Sequence, residues 1–290
     1  MDPAFIVIQI LNGVQYGLLL FLVASGLTLI FGILGVINLA HGSFFMIGAY
    51  LAYWFSQKLG SLPLAIAAAL PLAAAIGWAV ERFAIARLYS RDHLDQVLLT
   101  YGLILVFNEL QRLVFGNDVH GVATPAALAG NVQLTELQAY SVYRLFVSAL
   151  CIGLAAGMYF VIQNTRIGMM IRAGASNREM VRILGIDVGR LFAIVFSLGA
   201  ALAAFAGMLS APINSVYPGM GEHILIISFV IVVIGGIGSI KGSLLAALLV
   251  GLADTFGKVL VPEIASTVIY GLMAAVLLWR PTGLFGAGRA

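Results

Sequence analysis

Residues 35–50, GVINLAHGSFFMIGAY, place an asparagine, a histidine and a serine inside an otherwise apolar run. Around this stretch, the chain from Pro3 to Gln57 carries no formally charged side chain. One bilayer crossing needs about 20 predominantly apolar residues. The region is therefore long enough for two crossings, and Asn38, His41 and Ser43 lie within the second.

The composition of the whole chain agrees with a membrane protein. Of its 290 residues, 62% are hydrophobic and 9% are charged, and the mean hydropathy is +1.07. Soluble domains carry about 25% charged residues, so the composition excludes a large-cored soluble enzyme. The first residues, MDPAF, lack the basic region and cleavage site of a signal peptide, and we expect the first apolar segment to be retained. The single cysteine, Cys151, excludes an intramolecular disulfide and a multi-cysteine metal site.

Apolar segments of this length must be helices, because lipid offers no hydrogen-bond partners to exposed backbone groups. The fold class is therefore an all-α, polytopic bundle of about eight or nine membrane helices, forming one transmembrane domain over residues 1–290. Two short segments joined by glycines leave open a re-entrant pair near the C-terminus. The predicted segments are 5–31, 34–56, 62–80, 96–115, 141–163, 190–211, 223–240, 242–260 and 264–280.

The basic residues predict the orientation, since Lys and Arg accumulate in cytoplasmic loops. Segment 116–140 contains neither residue and is predicted to be a periplasmic loop. The chain is then N-out and C-in. Eleven of the fifteen basic residues fall on the inner side: Arg82, Arg87, Arg91, Arg166, Arg172, Arg178, Arg182, Arg190, Lys241, Arg280 and Arg289.

Polar residues within the spans are the candidates for a transport pathway, because such groups usually face a cavity or another helix. Glycines flank Asn38 and His41, which predicts a broken helix with both side chains buried in protein or facing the pathway. The alternative for each polar residue is a hydrogen bond to a neighbouring helix, worth about 0.6 kcal/mol on average. The candidates are Asn12, Tyr16, Asn38, His41, Ser43, Asn108 and Glu109.

Two further patterns concern packing. HGSFFMIGAYLA from residue 41 can be aligned with KGSLLAALLVGL from residue 241, and matched glycine-broken segments indicate transport sites. Both copies run in the same orientation, so an inverted repeat is not supported, and chance similarity stays open. Residues 197–211, SLGAALAAFAGMLSA, are mostly small, which favours close helix packing.

An inner loop at about 164–190 differs from the other loops. Met180, Ile183 and Leu184 recur at helical spacing. Ser176 precedes Glu179 by three residues, as in a capping box. Together with a glycine stop at residue 185, this predicts a short helix at about 177–184. The helix is either a solvated connector or a surface that docks into the groove of a partner.

Three stretches carry a family resemblance: GLTLIFGILGVINLAHGSFFMIGAY at 26–50, GASNREMVRILGID at 174–187 and IVVIGGIGSIKGS at 231–243. They resemble the permease subunits of branched-chain amino acid ABC importers. The resemblance implies a bacterial inner-membrane protein with a second related permease, two ATPase subunits and a periplasmic binding protein as partners. It also implies that 172–187 receives the ATPase stroke through Arg172, Ser176, Arg178, Glu179, Arg182, Gly185 and Asp187.

The energy source is not expected in this chain, which contains no G-x-x-x-x-G-K-[ST] phosphate loop. We therefore expect ATP and Mg²⁺ to bind to partner chains, and no cofactor, metal or nucleic acid to bind to this one. An ion-driven carrier is the first alternative, and it would use Glu109 and Asp254 as coupling carboxylates. An intramembrane enzyme is the second, but one cysteine and scattered histidines do not supply a nucleophile with its base.

Overall fold

The computed structural model describes residues 3–89, 91–135 and 138–286. The chain is predominantly helical. Its helices are α1 (Pro3–Leu29, continued by a π-helical turn at Ile30–Leu34), α2 (His41–Leu59), α3 (Leu62–Phe83), α4 (His93–Phe115), α5 (Val142–Asn164), α6 (Arg166–Ser176), α7 (Arg178–Ile183), α8 (Val188–Ser210), α9 (Met220–Gly235), α10 (Ile240–Leu260) and α11 (Ala265–Trp279).

Each of the nine predicted apolar segments overlaps most of one long helix of the structure. Among the described residues, seven helices are long and apolar enough to cross a membrane. Helices α2 and α9, with 19 and 16 residues, complete the nine. At 1.5 Å per residue α9 is about 24 Å long, which is shorter than the hydrocarbon core of a bilayer. The protein is therefore a polytopic helical membrane protein, as predicted.

The predicted break lies between α1 and α2. Residues 35–40 are not helical, so the prediction that the second span begins at residue 34 is wrong, and α2 begins at His41. Gly35 ends the π-helical turn with φ +60° and donates its N–H to the Phe31 carbonyl oxygen at 3.0 Å. Glycine adopts this left-handed conformation at little cost, and the chain can therefore leave the helix axis here.

Helix α1 lies at the centre of the bundle, with 89% of its most apolar window buried. Small residues allow its neighbours to approach closely. A Cβ atom added to Gly26 would lie 2.6 Å from the Gly199 carbonyl oxygen of α8. A Cβ atom on Gly42 of α2 would lie 2.7 Å from Leu225 Cβ of α9. The predicted close packing of residues 197–211 is confirmed by the Gly26–Gly199 contact and by the close approach of Gly48 to Ala204.

The loop that follows α4 contains structure that the all-helical prediction missed. Strand β1 (Asn131–Thr135) pairs antiparallel with β2 (Gln138–Ser141). A separate bridge pairs His120 with Val216, which joins this loop to the α8–α9 connection. The strands are too short to show an alternating pattern in the sequence. Arg289, assigned above to the inner side, lies outside the described residues.

Candidate functional site

A cavity of about 670 Å³ lies between α1, α5, α10 and the α8–α9 connection. One stripe of α1 forms a wall of it. Going along α1, the stripe is first polar, at Gln9, Asn12 and Tyr16, and then apolar, at Leu20 and Val23. Since these residues recur every three or four positions, they share one helix face. The cavity therefore has a polar end and an apolar end.

Two polar contacts characterise the polar end. Arg144 of α5 donates from Nη1 to the Asn12 Oδ1 atom at 2.8 Å. Lys258 donates from Nζ to the Asp254 Oδ2 atom at 2.6 Å, within α10. The same Nζ atom lies 5.6 Å from the centroid of the Tyr16 ring. Charged groups from α5 and α10 thus both line the polar end of the cavity.

The predicted pathway residues fall into three places. Asn12 and Tyr16 line the cavity. Asn38, His41 and Ser43 are buried at the break between α1 and α2. Asn108 and Glu109 lie in the C-terminal half of α4 and do not line the cavity.

The α4 residues are in contact with polar neighbours. Asn108 donates to the Glu222 carboxylate at 2.6 Å. The side chain of Glu109 is 65% exposed and lies 3.8 Å from the Arg112 guanidinium. Asp254, the other carboxylate considered for ion coupling, is only 5% exposed and lines the cavity. The two carboxylates are therefore in different surroundings.

The break is linked to the apolar end of the cavity by one hydrogen bond. His41 Nε2 lies 2.9 Å from the carbonyl oxygen of Val23, which lines the cavity. Because a carbonyl oxygen only accepts, Nε2 is the donor and Nδ1 is left as an acceptor. In the described part of the chain, His41 Nδ1 and both amide atoms of Asn38 are buried and without a hydrogen-bond partner.

Replacing Asn38 with leucine should therefore separate stability from transport. Unsatisfied buried polar groups cost about 1–3 kcal/mol each, so Asn38→Leu should keep or raise the unfolding temperature. If the amide acquires partners when the bundle rearranges during transport, uptake should fall about fivefold or more. Thermal unfolding of the purified protein and solute uptake would be measured in parallel. A lower unfolding temperature would instead assign Asn38 a packing role.

In the segment 172–187, which we predicted to receive the ATPase stroke, side-chain caps begin the helices α7 and α8. Asn177 accepts a hydrogen bond from the Met180 N–H at 3.0 Å and caps α7. The predicted cap at Ser176 is wrong, because α6 extends through that residue and holds its backbone in a helical conformation. The predicted stop is correct. Gly185 has φ +81°, and the Gly185 and Ile186 N–H groups donate to the Arg182 and Val181 carbonyl oxygens.

Side-chain hydrogen bonds hold both ends of the segment 172–187. Arg172 of α6 donates to the carbonyl oxygen of Ile162 at the end of α5. Asp187 caps α8 by accepting from the Arg190 N–H at 3.0 Å, and its carboxylate pairs with the Arg190 side chain. The helix α7 therefore lies between two segments whose side chains form hydrogen bonds with α5 and α8.

Sequence comparison places these features in a known family. Residues 9–277 match the family described as the permease component of branched-chain amino acid transport systems. The chain belongs to this family. It is 33% identical to the high-affinity branched-chain amino acid transport system permease protein BraD of Pseudomonas aeruginosa, over 96% of this chain and 95% of that protein. No solved structure matches the chain.

Two permeases of one bacterium are also similar to this permease. It is 31% identical to LivH of Escherichia coli, over 96% of this chain and 94% of that protein. It is 27% identical to LivM of the same organism, over 89% of this chain and 66% of that protein. Both are permease proteins of high-affinity branched-chain amino acid transport systems. The protein is an integral membrane permease subunit of an ABC importer.

The short helix α7 of this permease exposes apolar side chains. Met180, Ile183 and Leu184 are 53%, 78% and 71% exposed. The side chains of Arg178 and Glu179, which we also assigned to coupling, lie outside the described part of the structure. Two exposed apolar side chains on a helix of six residues and a third at its C-cap, Leu184, form a patch typical of an interaction surface.

The sequence analysis did not select several residues of the cavity. Arg144 and Lys258 were counted only as charges near the outer side, and Gln15 and Asn214 were not considered. The signal for Lys258 is its spacing of four residues from Asp254, which is typical of a helical ion pair. Nothing in the sequence connects Arg144 with Asn12, since their contact depends on how α5 packs against α1.

Proposed function

We propose that this permease is one half of the transmembrane core of an ATP-driven importer. Its single permease domain moves branched-chain amino acids, or a related small polar or carboxylated solute, across the bacterial inner membrane by alternating access. The N-terminus is outside and the C-terminus inside. The chain performs no covalent chemistry. The observation that carries the proposal is the exposed apolar face of α7, held between two segments anchored to the bundle.

The partners follow from the same surface and from the sequence. Two ATPase subunits dock on α7 and its equivalent in a second, homologous permease, and they bind ATP and Mg²⁺. The similarity of the chain to both LivH and LivM supports a paired permease core. A periplasmic binding protein delivers the solute to the side on which the α8–α9 connection lies.

The contacts of α8 support a route from α7 to the cavity. Asp187, in the short connection that follows α7, caps the start of α8. Farther along, α8 packs against α1 at the Gly26–Gly199 contact, so movement of α8 displaces α1. Since α1 forms a wall of the cavity, closure of the ATPase dimer changes the shape of the cavity. Since close packing does not deform continuously, we expect the bundle to change between two discrete arrangements.

The first test is to purify the tagged chain gently from its native membrane and identify the proteins that accompany it by mass spectrometry. We expect a second permease and two ATPase subunits to co-purify with the chain in a fixed ratio. Purification of the chain alone, or as a homo-oligomer without any ATP-binding protein, would contradict the proposal.

Uptake by the reconstituted complex distinguishes ATP from ions as the energy source. We expect uptake to require ATP and to resist dissipation of ion gradients. Glu109→Gln should retain uptake within about twofold, because an exposed ion pair contributes about 0–1 kcal/mol. Loss of uptake in Glu109→Gln, together with dependence on an ion gradient, would favour the ion-driven carrier.

A further inference from the structure

The cavity presents a positive charge that no described carboxylate neutralises. Arg144 is half-buried and directs one guanidinium N–H to the neutral amide of Asn12. Among the described residues, no carboxylate lies within 4.0 Å of this guanidinium. A guanidinium has five N–H donors in a planar fork that matches a carboxylate. Arg144 is therefore equipped to bind an anionic group that enters the cavity.

The negative charge in the cavity is the carboxylate of Asp254, which forms an ion pair with the exposed side chain of Lys258. The side chain of Asp254 is 6% exposed, whereas that of its partner Lys258 is 59% exposed. The lysine stem is long and flexible, so the Nζ atom can move into solvent while Asp254 stays in place. Asp254 would then accept hydrogen bonds from an ammonium group of a ligand.

The two charged groups lie near side chains of α1 that are one helical turn apart. Arg144 contacts Asn12, and the Nζ atom bound to Asp254 lies over the ring of Tyr16, four residues further along. One helical turn rises about 5.4 Å. A carboxylate and an ammonium attached to the same carbon atom can reach across this distance through one hydrogen bond each. Gln15, which also lines the cavity, has a buried Nε2 atom without a partner in the described residues.

The cavity continues from the charged groups into apolar surroundings. The next two turns of α1 contribute Leu19, Leu20 and Val23, and other helices contribute Phe45 and Ile224. An aliphatic side chain is stabilised here by about 0.8 kcal/mol for each buried methylene group. A polar side chain would lose its hydration without gaining hydrogen bonds. The apolar end therefore selects aliphatic ligands.

We infer that the cavity binds an aliphatic α-amino acid as a zwitterion, with its carboxylate on Arg144, its ammonium on Asp254 in exchange for Lys258, and its side chain against the apolar end. This inference rests on the proposed function. It adds a binding site within the permease itself to the recognition that the binding protein provides. The ligand enters by exchanging one ion pair, so Asp254 is never left buried without a positive partner.

Protection of an introduced thiol measures binding without the binding protein. Thr255 lines the cavity beside Asp254 and is partly exposed, and Thr255→Cys supplies the thiol. The native Cys151 is fully buried and labels slowly. The purified complex is treated with a polar thiol reagent in the presence of leucine, leucinamide, which lacks the carboxylate, or 4-methylpentanoate, which lacks the ammonium. We expect leucine to slow labelling, and each analogue to protect at least about tenfold more weakly.

Charge-removing variants assign the two groups. Arg144→Gln should weaken protection by leucine about 10- to 100-fold, as expected for charge-assisted hydrogen bonds, and leave protection by leucinamide unchanged. Asp254→Asn should likewise weaken protection by leucine but leave protection by 4-methylpentanoate unchanged. Arg112→Gln and Glu109→Gln, at the exposed ion pair on α4, are the matched controls and should behave as the parent. If Arg144→Gln does not fold, Arg144→Lys keeps the positive charge and removes the planar guanidinium, so weaker protection by leucine in this variant would show that the guanidinium geometry is needed.

The outcomes separate the inference from the proposed function. Equal protection by leucine in the parent, Arg144→Gln and Asp254→Asn would overturn the inference. The inference would also be overturned if leucine did not slow labelling of the thiol in a complex that still takes up leucine with ATP. That result would leave the proposed function in place. A complex that hydrolyses ATP and takes up no aliphatic amino acid would overturn the inference, and the proposed function would fail with it only if no other small polar or carboxylated solute were taken up.

Discussion

The double substitution Ile183→Glu and Leu184→Glu should abolish ATP-driven uptake by detaching the ATPase subunits from the permease. These side chains are 78% and 71% exposed at the end of α7. Full burial of such a side chain contributes about 1.5–3 kcal/mol. Loss of both contributions, with two charges placed in the interface, should weaken docking about a hundredfold or more.

Co-purification of the ATPase subunits and uptake in proteoliposomes would measure this effect. The fold should tolerate the substitutions, because both side chains already face away from the bundle. Ile237→Glu is the matched control. Ile237 is 57% exposed in the α9–α10 connection, at the same end of the bundle. Normal uptake by the double variant, with the ATPase still bound, would show that α7 is only a connector.

Gly48→Ala should strongly destabilise the bundle although it adds a single methyl group. A Cβ atom at this position of α2 would lie 2.6 Å from the Ala204 Cα atom of α8. Both contacting groups belong to helix backbones, so no side chain can move aside and the helices must separate. Overpacking of this kind costs about 1–3 kcal/mol or more. The unfolding temperature should fall by about 5 °C or more.

Gly153→Ala is the matched control for this prediction. Gly153 lies in the middle of α5 with no atom within 4 Å of an added Cβ. Replacing glycine by alanine in a helix interior is favourable by about 1 kcal/mol, so this variant should be as stable as the parent or more stable. Thermal unfolding of both variants in the same detergent gives the comparison. Equal unfolding temperatures would show that α2 and α8 pack less tightly than the structure indicates.

Local features of the fold followed from the sequence because they depend on neighbouring residues. Lipid excludes unpaired backbone groups, so apolar length alone specifies helices. Glycines at residues 35 and 185 mark the broken helix and the end of α7, since both adopt positive φ. The N-cap of α7 was placed one residue too early, at Ser176. Ser and Asn are about equally good caps, and only the extent of α6 decides between them.

The site depended on contacts between distant segments. Arg144, Asn12 and Asp254 meet because α1 lies between α5 and α10, and no local pattern records this arrangement. In a soluble protein, the buried face of a helix is marked by its apolar residues. In a membrane, lipid tails are as apolar as the protein interior, so the same residues occur on both faces. Asn38 and Glu109 therefore looked alike in the sequence, although Asn38 is fully buried and Glu109 is exposed.

The sequence by itself determined that this protein is a polytopic helical membrane protein, where its helix is broken and where the short helix α7 ends. Each of these depends on hydrophobic length or on the conformation of a few adjacent residues. The tertiary structure alone decided which polar groups share the cavity and which apolar residues of α7 are exposed. Those properties depend on glycine contacts between helices far apart in the chain, which bring particular faces together and leave others uncovered.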